Sequence, residues 1–237
     1  MIPHFNIIER VKAKQFIHTG AKQFIHTGYM EDKIDYKINS LGYRAKEFSD
    51  IDWANSIVIF GDSTALGEAL DEEYTLASVI QSKTGIPTVN LGVGGTSILK
   101  AHHDSVLLLE NYPAPKVVVY IWTCFYRTVF YKENQTNNYG VWNAKLKNNK
   151  KKYRYKKEYD SWFNNEVNPT VWAMFTQMAT KHLWKDKTIM YEGSFFKRTS
   201  DLFNCNFFPT IDNAKDNLHP GIKSVENAAN SVIKSIL

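Results

Sequence analysis

The sequence predicts a three-layer α/β/α domain built on a parallel sheet of four to five strands. Short apolar runs occur at residues 56–60, 87–91 and 115–122, and such runs are typical of strands buried on both faces. Segments with a helical pattern separate these runs, which is the alternation of βαβ units. An amphipathic pattern after residue 221 predicts a closing helix. Together these observations favour an α/β class over an all-helical or all-strand one.

The predicted elements follow in chain order from these patterns. The first strand, Ser56–Phe60, leads through a Gly-rich turn to a helix over Glu73–Lys83, which ends before Gly85. The later elements are a strand at 87–91, a helix at 96–111, a strand at 115–122, a helix at 167–181 and a strand at 187–191. An irregular segment is expected from residue 193 to residue 212, before the closing helix.

Length and composition exclude several classes of protein. The chain has 237 residues with 43% hydrophobic content, which suits one domain with embellishments. No apolar run is long enough to span a bilayer, and the first residues lack the hydrophobic core of a signal peptide. These features predict a cytoplasmic protein, with association with a virus particle as an alternative. The two cysteines, Cys124 and Cys205, are too few for a disulfide framework and are expected to be reduced.

Positive charge is concentrated in one stretch of the chain. The net charge is +5, yet Lys145–Lys157 alone carries eight cations and no acid, so the remainder sums to −3. Aromatic residues accompany these cations within a long polar insertion at about 128–165. Such a loop is typical of a lid or binding loop, and an ordinary solvated loop is the alternative. The charge suggests an acidic polymer as a partner, whereas nucleic acid is not favoured.

The N-terminal part of the chain reads as an extension, over residues 1–50, of a domain at 51–237. It contains a tandem repeat, in which Ala13–Gly20 and Ala21–Gly28 are identical octapeptides. Two copies of eight residues are too short to form a solenoid. Arg44 follows in a short segment expected to pack at an edge of the domain, and it is a candidate for lining the mouth of a cleft.

A candidate catalytic set lies at two distant points of the chain. Asp62 and Ser63 follow the first buried strand, at the carboxyl edge of the sheet where α/β proteins hold their sites. Asp216 and His219 stand three residues apart in a polar loop before the closing helix. A histidine held in one tautomer by a carboxylate can take a proton from a serine hydroxyl. Ser63 is therefore the candidate nucleophile, His219 the base and Asp216 its orienting acid.

These blocks resemble the SGNH (GDSL) hydrolase superfamily over roughly residues 55–237. The resemblance rests on Gly61-Asp62-Ser63, on the turn Gly92–Thr96 and on Asp216-x-x-His219. It implies a flavodoxin-like α/β/α fold that cleaves carboxylic esters by a Ser-His-Asp triad, without a cofactor or metal. It also implies an oxyanion hole formed by the backbone N–H groups of Ser63 and Gly95.

The chain departs from the family after the third strand. The resemblance implies an Asn donor in a Gly-x-Asn-Asp block there, but this sequence has Thr123-Cys124. Thr123 is the tentative third oxyanion donor, and Arg127 and Asp62 are candidate substrate contacts.

The resemblance implies a serine esterase or acyltransferase acting on O-acyl groups, with a carbohydrate ester as the expected substrate. The alternative is a binding or structural module of the same fold, as in a virus particle, in which the replaced Asn block reflects lost catalysis. The retained Ser, His and Asp residues favour the enzyme.

Overall fold

The computed structural model describes residues 23–26, 34–132, 135–139, 161 and 166–237 of the chain. Nine strands lie within this part: β1 Gln23–His26, β2 Ile34–Lys37, β3 Ile57–Gly61, β4 Thr88–Gly92, β5 Val117–Ile121, β6 Thr128–Lys132, β7 Gln135–Tyr139, β8 Ile189–Ser194 and β9 Asn206–Phe207. Its α-helices are α1 Ser63–Leu66, α2 Leu76–Thr84, α3 Ile98–Asn111, α4 Val167–Trp184, α5 Lys197–Phe203 and α6 Ile222–Ile236.

The central sheet is parallel throughout, with five strands in the order β4-β3-β5-β8-β9. Counted within the sheet, this order is 2-1-3-4-5, the doubly wound flavodoxin-like arrangement. The strand order reverses beside β3, so a crevice is expected at the carboxyl ends of β3, β4 and β5. The predicted α/β/α architecture with four to five strands is confirmed.

Successive residues of the buried strands face opposite sides of the sheet, and each side carries its own core. Ile57 and Ile59 of β3 pack with α2 and α6 on one side. Val58 and Phe60 pack on the other side with α3, α4 and α5. This alternation explains why β3 is an uninterrupted apolar run, since both of its faces are covered.

Residues 34–48 are integrated into these cores. Ile34 and Tyr36 of β2 are buried at 1% exposure in the first core, and Tyr43 and Phe48 belong to the second. β2 pairs with β1 in an antiparallel hairpin, and β1 lies in the second copy of the tandem octapeptide. Residues 34–48 therefore pack against the domain and contribute side chains to both of its cores.

Two segments differ from the expectation. The region 193–212 contains the short helix α5 and the edge strand β9, which the sequence pattern did not indicate because both elements are too short to show a period. The insertion at about 128–165 begins as the antiparallel hairpin β6–β7. Lys145–Lys157, to which the acidic-polymer hypothesis belongs, lies outside the described residues.

Candidate active site

Ser63 opens α1, the single helical turn that directly follows β3. Asp62 caps this turn, since its carboxylate accepts a hydrogen bond from the Thr64 backbone N–H at 2.9 Å. Gly67 ends the turn in the left-handed conformation, with φ at 75°. The turn keeps Ser63 at the carboxyl edge of the sheet, where it is 5% exposed. The sequence predicted a bare turn here because one turn of helix is too short to show a period.

The neighbouring strand β4 approaches α1 so closely that its last residue has to be glycine. A Cβ placed on Gly92 would stand 2.3 Å from the Leu66 backbone nitrogen. Beyond Gly92 the chain turns through Gly95, whose φ of 69° is a conformation that disfavours side chains. The turn after β4 is thereby fixed beside the turn that carries Ser63.

His219 and Asp216 lie in a closed loop that leads into α6. The Ala214 backbone N–H donates to the His219 carbonyl at 2.8 Å, and the Gly221 N–H donates to the Asp212 carbonyl at 2.9 Å. These bonds tie both ends of the loop together, so the position of His219 follows from that of α6.

The structure brings Ser63, His219 and Asp216 into one hydrogen-bonded chain. His219 Nε2 lies 3.0 Å from Ser63 Oγ, and His219 Nδ1 lies 2.5 Å from Asp216 Oδ2. With a proton on Nδ1 donated to Asp216, Nε2 is left to accept the serine proton. The arrangement can therefore activate a serine nucleophile.

Asp216 is held in its charged form by its neighbours. Burial opposes ionisation, but hydrogen bonds from the His219 backbone N–H, the His219 ring and the Leu218 backbone N–H outweigh it and lower the pKa of Asp216. The two backbone bonds are each 3.0 Å long and converge on Oδ1, while Oδ2 receives the ring. A permanent carboxylate in this place favours an imidazolium during proton transfer.

Asp62, a candidate substrate contact, is instead enclosed by protein. It is 0% exposed, and beyond capping α1 it accepts the Thr123 hydroxyl and an Arg127 guanidinium N–H, each at 2.5 Å. Thr123 therefore directs its hydroxyl proton toward Asp62 in this arrangement, away from any oxyanion position. Arg127 is likewise engaged with Asp62, and its guanidinium lies 5.4 Å from the centre of the Phe196 ring.

Arg44 lies behind the site and not at a cleft mouth. Its side chain is fully buried and pairs with Glu72 at 2.6 Å. It also donates to the Gly67 carbonyl at 2.9 Å and to the Leu70 carbonyl at 3.1 Å. Through these bonds Arg44 holds in place the backbone that follows α1.

Glu68 belongs to the site although sequence reasoning missed it. Its Oε2 lies 3.6 Å from His219 Nε2, on the nitrogen that faces Ser63. Its backbone N–H donates to the Ser63 carbonyl at 3.0 Å. One feature of the sequence could have indicated Glu68, which directly follows Gly67, the glycine that ends α1 and turns the chain.

Cys124, which with Thr123 is one of the two residues aligned with the implied Asn, is half-buried. Burial raises the pKa of its thiol, so it remains protonated near neutral pH.

The described residues contain no group of three or more His, Cys, Asp or Glu side chains placed to hold a metal ion. Among their helices, none combines the length and the apolar character needed to cross a membrane.

No protein-family model and no curated protein sequence matches the chain. Solved structures do match it. A member of the lipolytic protein G-D-S-L family from Veillonella parvula is 9% identical with a TM-score of 0.46, over 76% of this chain and 96% of that one. A putative lipolytic protein of the same family from Desulfitobacterium hafniense is 12% identical with a TM-score of 0.46, over 77% and 99%.

A third match is the acetyl xylan esterase Est2A from Butyrivibrio proteoclasticus. It is 10% identical with a TM-score of 0.48, over 78% of this chain and 64% of that one. At identities this low any likeness concerns the fold alone, and activity has to be argued from the residues of the site.

Proposed function

We propose that this protein is a serine hydrolase that cleaves carboxylic esters. The observation that carries the proposal is the continuous chain from Asp216 through His219 to Ser63, with links of 2.5 Å and 3.0 Å. A nucleophile, a base and an orienting acid in this order are the parts that acyl transfer requires. Ser63, the nucleophile in this proposal, lies at the carboxyl edge of the sheet and is 5% exposed.

Each step follows from these atoms. Ser63 Oγ attacks the carbonyl carbon while its proton passes to His219 Nε2. The tetrahedral adduct then collapses, the bond to the alcohol oxygen breaks, and that oxygen leaves with the proton from Nε2. Water attacks the acyl-enzyme and gives its proton to Nε2, after which Ser63 Oγ departs, recovers the proton and releases the carboxylic acid. If a sugar hydroxyl attacks the acyl-enzyme in place of water, the acyl group is transferred to the sugar. The proposal therefore includes a carbohydrate as the substrate.

The oxyanion of the adduct is assigned to the backbone N–H groups of Ser63 and Gly95. Both belong to turns at the carboxyl edge of neighbouring strands, which pair in register up to Gly61 and Gly92. Backbone donors fixed in this way stabilise developing charge without rearranging.

Labelling with a neutral fluorophosphonate tests the proposal, because only a competent Ser–His pair reacts. We expect labelling and ester cleavage by the natural chain, and loss of both in Ser63→Ala and in His219→Ala. The double variant is expected to be no worse than either single variant, since the residues act as a unit. His182→Ala, on the exposed surface of α4, is the matched control. An unlabelled but folded natural chain would favour the binding module instead.

A further inference from the structure

The outward face of α4 is apolar. From residue 171 to residue 179 every exposed residue of this helix is apolar, and the large ones are 42–64% exposed: Val171, Trp172, Met174, Phe175 and Met178. The face that packs into the domain includes three polar residues instead: Thr176, Gln177 and Thr180. A surface helix normally has the opposite arrangement, with its apolar residues toward the core. The outward face of α4 is therefore suited to contact with another apolar surface.

The spacing of these residues suits a second helix. Val171, Met174 and Met178 recur at intervals of three and four positions, which is the seam of a two-helix contact. Phe175 and Trp172 widen the seam along one side, because residues three and four apart are neighbours on a helix. Methionine side chains adapt their shape to the surface they meet.

The size of the face matches one side of a dimer interface. At about 200 Å² for a large side chain, exposed fractions of 42–64% leave about 500 Å² of mainly apolar surface. This value is near the upper end for the largest apolar patch of a monomer, about 300–600 Å². Interfaces between identical chains are about 65% apolar, and a stable one buries about 800 Å² on each partner. The face thus supplies the apolar centre that such an interface needs.

Charges at the two ends of α4 favour an antiparallel partner. Glu166, 71% exposed at the N-terminal end, pairs with Arg198 at 2.6 Å. At the other end Lys181 pairs with Glu192 at 2.9 Å, and Lys185 is exposed. A parallel partner would bring both lysines against the same lysines of the second copy. An antiparallel partner places them beside the Glu166–Arg198 pair.

An anionic lipid surface fits these ends less well. The hydrogen bond from Arg198 lowers the pKa of Glu166, so this exposed acid is charged near neutral pH. A second exposed acid, Asp186, lies at the C-terminal end between Lys185 and Lys187. Helices that bind such surfaces typically carry an excess of Lys and Arg beside the apolar face.

We propose that this face of α4 is the interface of a homodimer, in which α4 packs antiparallel against α4 of a second copy. The two-fold axis passes between Met174 and Phe175, the middle of the apolar stretch, so Val171 of one copy meets Met178 of the other. This interface adds a partner, and it does not depend on the proposed ester cleavage.

Sedimentation over a range of concentrations tests the dimer. We expect the natural chain to sediment at twice the mass of one chain at micromolar concentrations. Phe175→Glu places a charge at the centre of the interface in both copies, so it should raise the dissociation constant by about a hundredfold or more. Phe207→Glu, at an exposed aromatic residue of β9, is the matched control and should leave the constant unchanged. If Phe175→Glu does not fold, the pair Met174→Gln and Met178→Gln replaces it.

Oxidative cross-linking tests the antiparallel arrangement. Met174→Cys lies beside the axis and close to its own copy, whereas two copies of Lys185→Cys are about 30 Å apart. We expect Met174→Cys to join two chains at least tenfold more than Lys185→Cys, with the natural chain as the blank. Equal cross-linking of the two variants contradicts the antiparallel pair.

Three results overturn the dimer. One is a natural chain that stays monomeric at every concentration, and another is a dimer that Phe175→Glu leaves intact. The third is a monomer that binds phosphatidylglycerol vesicles and loses this binding in Phe175→Glu, which assigns the face to lipid. If the natural monomer also protects Met174 and Met178 from oxidation by peroxide, another segment of the same chain covers the face.

Discussion

The Thr123 hydroxyl donates to the carboxylate of Asp62 at 2.5 Å, across the carboxyl ends of β5 and β3. A hydroxyl has a single proton to donate, so this bond and a bond to an oxyanion exclude each other. The same carboxylate holds Arg127 at 2.5 Å and caps the turn that carries Ser63. The polar residues after β5 thus stabilise the turn that carries Ser63, in a chain that lacks the Asn implied by its family resemblance.

Thr123→Val is expected to affect stability more than rate. The substitution keeps the shape of the side chain but removes the bond to Asp62, which should lower the free energy of unfolding by about 1–2 kcal/mol. Ester cleavage by the folded variant should change by less than about tenfold, because no oxyanion donor is lost. Urea unfolding and initial rates measure the two effects. If kcat falls by about a hundredfold or more while stability is unchanged, the Thr123 hydroxyl donates to the oxyanion after all.

Asp62→Asn is expected to be strongly destabilising. Asp62 is 0% exposed and is the partner of a largely buried guanidinium, so the substitution removes the negative charge that Asp62 places against Arg127. Breaking a buried pair in this way costs about 3–5 kcal/mol of unfolding free energy. Asp201→Asn is the control, since its ion pair with Lys197 is exposed at the surface of α5 and should contribute less than about 1 kcal/mol. Equal effects in the two variants would contradict a structural role for Asp62.

The sequence was sufficient for the sheet because its signals are local. The apolar run at 56–60 corresponds to β3 with a shift of one residue, and the closing stripe corresponds to α6. The sequence pattern did not predict elements of only a few residues, such as α1 and β9, because they are too short to show a hydrophobic period. The boundaries differ mainly at element ends, where caps and not periodicity decide.

Some residues of the candidate site could likewise be predicted from local motifs, whereas others depend on contacts between distant segments. Ser63 and the pair Asp216–His219 could be proposed from motifs, each of which lies within one loop. The Arg44–Gly67 and Tyr36–Ala69 hydrogen bonds join residues 23 and 33 positions apart, and no local pattern indicates them. Glu68 could not be placed beside His219 without knowing that Gly67 reverses the chain.

Tyr36→Phe is expected to weaken the segment that carries Glu68. The Tyr36 hydroxyl accepts the N–H of buried Ala69, and its loss leaves that donor without this acceptor. We expect a loss of about 1–3 kcal/mol in unfolding free energy. Tyr74→Phe, at a site 36% exposed, is the control and should be close to neutral. Chemical denaturation compares the two, and a neutral Tyr36→Phe would mean that the positive φ of Ala69 needs no support from this hydroxyl.

We expect the protein to lose stability in acid because the folded state lowers the pKa of Asp216. Its folded-state pKa is lowered, so its contribution is fully present above the unfolded-state value of about 3.9 and is lost as the pH falls through the lower folded-state value. Asp216→Asn should therefore be less stable than the natural chain at neutral pH, with the difference shrinking below about pH 4. Melting temperatures across this range measure it, with the exposed Asp186→Asn as the control. A difference that is constant with pH would show that the charge of Asp216 is not what stabilises its loop.

Cys124→Asn tests whether the implied amide donor can be restored. With backbone donors alone, the proposed oxyanion hole lacks one side-chain donor, which is typically worth about 3 kcal/mol or a hundredfold in rate. Cys124 is half-buried and its thiol stays protonated, so it is not expected to act as a nucleophile near neutral pH. We expect Cys124→Asn to raise kcat on simple acetate esters, and Cys124→Ala to leave it near the natural value. If Cys124→Ala removes activity, the thiol has a role of its own. If the Asn variant folds, labels at Ser63 and gains nothing, the slot does not face the oxyanion, and the third donor belongs to another residue of the crevice.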